Sequence, residues 1–161
     1  METITKINDF RCIVASEKKL NLPALSGQQT IYSAKNVFTF ISPPFAKNYI
    51  TAPSKEASVI TLMIEGAKEV EDMIQVAASI LKTSPNNLLL TENQIVAFCQ
   101  LHEKALNHLS SGMTIFPFLS RTGKINLAMV SCLTSGLYVT KHLLQTSWTA
   151  NLHLLTVKMP R

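Results

Sequence analysis

The chain has 161 residues, 47% hydrophobic and 16% charged, with a formal net charge of +5. That length suits one domain burying roughly 70% of its unfolded surface, and the composition lies well away from the disordered class. No apolar run approaches the ~18 residues of a membrane-spanning helix, and three widely spaced cysteines (Cys12, Cys99, Cys132) argue against a disulfide framework.

Residues 1–28 carry conflicting patterns and leave that segment poorly defined. Ile4, Ile7 and Phe10 step at helical spacing, whereas Phe10, Cys12 and Val14 alternate as a strand does. The opening METITKINDFRC has no basic stretch before an apolar core, so the expectation is a cytoplasmic chain with reduced thiols; leaderless export leaves no such mark. Thr30 to Ser42 reads as two short strands about a turn at Ala34 to Asn36, stopped by Pro43-Pro44, with a loop through 43–57. Val59 to Glu65 is apolar and β-branched, and Gly66 breaks it. A helix follows over about 67–82, with Val70, Met73, Ile74, Ala77, Ile80 and Leu81 inward and Glu69, Glu71 and Asp72 suiting its first-turn dipole. One helix from Lys55 through Lys82 is the competing reading, disfavoured by Gly66 and Val59-Ile60-Thr61.

Ser84 to Asn87 is a turn. Thr91 then makes a good N-cap, Gln94 closes a capping box, and Leu90 and Ile95 take the staple positions of a helix over 91–109. Residues 113–158 read as a four-strand β-meander: Met113 to Ser120, Ile125 to Leu133, Leu137 to Leu144 and Asn151 to Lys158. Pro117 cannot donate to a ladder, which makes the first of these an edge strand; N-terminal strands joining the sheet must then add beside Asn151 to Lys158. The expected fold is a single α+β domain over 1–161, a mostly antiparallel sheet with two helices packed on one face.

Charge is sharply divided. Every acid falls within Glu2 to Glu17, Glu56 to Asp72 or Glu92 to Glu103. The stretch between Glu17 and Glu56 holds five lysines and no acid, and beyond Glu103 the only charges are Lys104, Arg121, Lys124, Lys141, Lys158 and Arg161. Arg121, Lys124 and Lys141 are therefore candidate nucleic-acid contacts, although aromatics able to stack on bases are sparse there (Phe116, Phe118, Tyr138, Trp148). The same charges are explained within one domain by a basic sheet facing the acids at 69–72.

No phosphate-binding glycine loop, Gly-x-Ser-x-Gly elbow or Cys-x-x-Cys occurs, and no motif calls for a cofactor or a metal. Cys99, His102 and Glu103 share one side of a helix but lack a second ligand pair, so they read as core beside rim. In the meander register His142 falls opposite His153, and two such imidazoles share a proton or ligand in a small enzyme. Residues 104–161 hold no carboxylate to orient them; Glu92 and Glu103 are the nearest donors in sequence. Trp148, the single tryptophan, serves as a partner anchor or as a cap on the open end of the sheet, and the cap is favoured. The expected function is a non-catalytic module that binds a protein partner through its basic sheet or an edge strand, with nucleic-acid binding and a His142/His153 enzyme as alternatives.

Overall fold

A computed structural model describes residues 4–7, 10–14, 20–43, 45, 53–65, 68–109, 113–119, 124–143, 147–148 and 152–158. Strands β1 (Ile4–Ile7), β2 (Phe10–Val14), β3 (Leu20–Leu22), β4 (Phe38–Ile41) and β5 (Ala57–Glu65) precede the short β6 (Lys68–Glu69) and helix α1 (Val70–Ile80). A 3-10 turn at Pro85–Leu88 leads to α2 (Glu92–Leu101) and α3 (Glu103–Leu109). Strands β7 (Met113–Leu119), β8 (Ile125–Leu133), β9 (Gly136–Leu143), β10 (Ser147–Trp148) and β11 (Leu152–Lys158) complete the described elements.

Nine strands form one sheet in the order β1-β2-β5-β11-β7-β8-β9-β4, with β3 also paired to β5; β6 and β10 make a separate two-stranded ribbon. All pairs are antiparallel except β11 with β7 and β4 with β9. The expected α+β class with a mostly antiparallel sheet is what the chain forms. The ambiguous N-terminus resolves into the hairpin β1/β2, in which Ile4 pairs with Ile13 and Ile7 with Phe10.

Both faces of the sheet are covered, which explains why β5 is a nearly unbroken apolar run instead of an alternating one. On one face Ala57 and Val59 join Phe116, Phe118, Ala128, Val130, Leu137 and Val139 beneath Ile95, Val96, Phe98 and Leu106 of α2 and α3. On the other, Leu62, Ile115, Leu127 and Leu154 pack under Ile74, Val76, Ala77 and Ala78 of α1 and Leu88 of the 3-10 turn. The helices thus divide between the two faces, correcting the expectation that they share one. Phe98 lies edge-on to Phe116 with ring centroids 5.5 Å apart, near the centre of the larger core.

The capping box at the start of α2 forms as its sequence indicates. Thr91 Oγ1 accepts from the Gln94 N–H at 3.1 Å, and Gln94 Oε1 accepts from the Thr91 N–H at 2.9 Å. Leu90 and Ile95 are both buried. The expected single helix over 91–109 is broken at His102, whose backbone leaves helical geometry before α3 begins.

Three further expectations differ. The first strand expected near Thr30 does not form, because the Thr30 N–H donates to Ser33 Oγ at 3.0 Å and the Ser33 N–H to Thr30 Oγ1 at 3.2 Å, closing a turn. The meander stops at three strands, since Leu152–Lys158 leaves β9 and inserts between β5 and β7. Pro117 does not make β7 an edge overall, because β11 pairs with Met113 to Ile115 only. Beyond Ile115, no strand among the described residues pairs with the Pro117 side of β7, which makes only an isolated bridge to Leu90; the Pro117 carbonyl accepts from the Leu90 N–H at 2.9 Å. Proline is tolerated at that local gap. The expectation that N-terminal strands add only beside Asn151 to Lys158 is half met: β5, β2 and β1 lie on that side, whereas β4 adds at the other edge, beside β9.

Candidate functional site

The topology separates most of the residues singled out from the sequence. His142 on β9 pairs with Leu127, whereas His153 on β11 pairs with Met63 and Thr114. Two strands, β7 and β8, lie between them, a separation of ~14 Å at normal strand spacing. The imidazole pair inferred from a four-strand meander does not form. Lys124 is exposed just before β8, and Lys141 lies on β9 opposite Ala128. Arg121 lies outside the described residues. Trp148 pairs with Lys68 in the β6/β10 ribbon, which is not part of the nine-stranded sheet, and its side chain also lies outside the described residues.

Cys99 belongs to the core: it is 1% exposed, and burial pushes its thiol well above the usual range. His102 turns its Nε2 to the Asn21 carbonyl at 2.9 Å and its ring to Phe98 at 5.1 Å. Glu103 is exposed. Cys99 and His102 therefore tie the end of α2 to the core and to β3.

What the structure does bring together is the corner formed by β4, β9 and β8. Alternation along β8 and β9 puts Met129, Ser131, Leu133, Tyr138, Thr140 and His142 on the face that bears Leu127. Leu127 is covered by the α1 layer. The others are half-buried or exposed, Leu133 reaching 53%, so the sheet face continues past the edge of that helical layer. Phe40 of β4, 45% exposed, stacks on Tyr138 with centroids 5.7 Å apart. The Tyr138 hydroxyl and Ser135 Oγ are 3.1 Å apart, and His142 Nε2 lies 2.9 Å from Thr140 Oγ1. Partial burial lowers the His142 pKa, which favours the neutral imidazole.

Strand β4 reaches this position through the buried polar start of α2. Glu92 Oε1 accepts from the Ile31 N–H at 3.0 Å, and Asn93 Oδ1 from the Gly27 N–H at 2.9 Å. These bonds hold the segment that turns at 31–37 and enters β4. Desolvation pushes the Glu92 carboxyl up, opposed by the Ile31 bond and by the charge of Lys141. Lys141 pairs with Ala128 on the α2 side of the sheet and His142 with Leu127 on the other, so Glu92 is not the orienting acid for His142 that its place in sequence suggested. At its far end β4 is held by the Ser42 N–H to the Val139 carbonyl, 3.0 Å, and the Lys141 N–H to Ser42 Oγ, 3.1 Å. Gly136 lets β4 approach the β8–β9 turn: its φ is +134°, and a Cβ there would collide with Thr39 Oγ1. Thr39 Oγ1 instead donates to the Ser135 carbonyl at 3.1 Å.

A separate open groove of about 500 Å³ lies at the paired ends of β3 and β5, lined by Asn21, Leu22, Pro23, Glu56, Ala57 and Ser58. Ser58 Oγ donates to Asn21 Oδ1 across it at 3.1 Å. None of the residues picked from the sequence lines this groove. Sequence reasoning missed Phe40, Tyr138 and Leu133 as a group, because their meeting depends on β4 crossing to pair with β9. No family model, curated protein or solved structure matches the chain.

Proposed function

We propose that the chain is a non-catalytic protein-interaction module whose docking surface is the β4–β9–β8 corner. The observation that carries this reading is the Phe40–Tyr138 stack on a sheet face that runs beyond its helical cover, with Leu133 exposed at the adjoining turn. An apolar centre edged by Ser131, Thr140 and His142 matches the usual anatomy of a docking patch, where aromatics anchor and a polar rim excludes water. Exposed clusters of this kind mark partner surfaces more often than isolated exposed leucines do.

Neither alternative draws comparable support. A His142/His153 enzyme needs two imidazoles that the strand order holds apart. A nucleic-acid surface built on Lys124 and Lys141 has one of its two cations half-buried on the α2 side of the sheet, where its charge also acts on the Glu92 carboxyl.

The test compares affinity capture by the wild-type chain and by Phe40→Asp, with quantitative mass spectrometry of the proteins retained. The docking patch predicts a set of proteins held by wild type and lost by the variant. Identical recovery by both baits, each folded by circular dichroism, refutes it. Retention on oligonucleotides that survives Phe40→Asp and disappears on Lys124→Ala favours the nucleic-acid alternative.

A further inference from the structure

We draw no further inference here: the strongest candidate, the half-uncovered sheet face around Phe40 and Tyr138 at the β4–β9–β8 corner, belongs to the site already described, and nothing among the described residues shows what covers it.

Discussion

Gly136→Ala probes how β4 is held to the rest of the sheet, and its cost divides into two parts. The φ of +134° lies where only glycine rests without strain, and an alanine forced there loses about 1–3 kcal/mol. The new methyl also meets Thr39 Oγ1, which must give up its bond to the Ser135 carbonyl. That bond is exposed, so its loss adds about 0.5–1 kcal/mol. Together the variant should be about 2–4 kcal/mol less stable, read as a lowered urea midpoint at unchanged slope. The companion Thr39→Ala removes the hydroxyl that the methyl strikes, although Thr39 Cβ stays 3.2 Å from the new atom. In the double variant the steric part should vanish while the backbone part persists, giving a coupling of about 0.5–1 kcal/mol between the two sites. A loss below about 1 kcal/mol for Gly136→Ala would refute the strain argument. Zero coupling with Thr39→Ala would refute the close approach.

Glu92→Gln keeps an acceptor for the Ile31 N–H and removes a charge that burial opposes. A folded-state pKa raised above the unfolded value gives stability that is full at low pH and is lost as pH climbs through the folded value. The variant should therefore gain on wild type as pH rises through the carboxylate range, and parallel stability curves would contradict this. Glu92→Leu, in contrast, strands the Ile31 N–H and should cost about 1–3 kcal/mol in denaturant melts. Thr91→Ala should cost about 1 kcal/mol by removing the acceptor for the Gln94 N–H, with Thr91→Ser restoring most of it. Phe98→Ala empties a fully buried site against Phe116 and should cost about 3–5 kcal/mol, seen as a large drop in melting temperature.

Features written in neighbouring residues were legible in the sequence. The Thr91–Gln94 box spans three positions and needs no tertiary partner, so the start of α2 could be read directly. The β7–β8–β9 succession was equally accessible, because each connection is short. The place of β11 was not, since nothing in Leu152–Lys158 states whether its neighbour is β9 or β5. That single ambiguity produced the false opposition of His142 and His153. The apolar run Val59-Ile60-Thr61-Leu62 did hold a usable clue, because a strand apolar on both sides requires cover on both faces. Thr30 and Ser33 misled because β-branched and aromatic neighbours resemble a strand, whereas their hydroxyls favour a local turn. The β4–β9–β8 corner was hidden because Phe40 and Tyr138 meet only through a parallel pairing between distant segments.

The insertion of β11 between β5 and β7 has a consequence for biosynthesis. Its ladder with β5 spans Leu152 to Lys158, and its contact with β7 joins the earlier hairpins into one sheet. Until residues 152–158 are made, the described strands on the two sides of β11 share no ladder, so completing the sheet rests on a long-range pairing, which forms more slowly than local hairpins do.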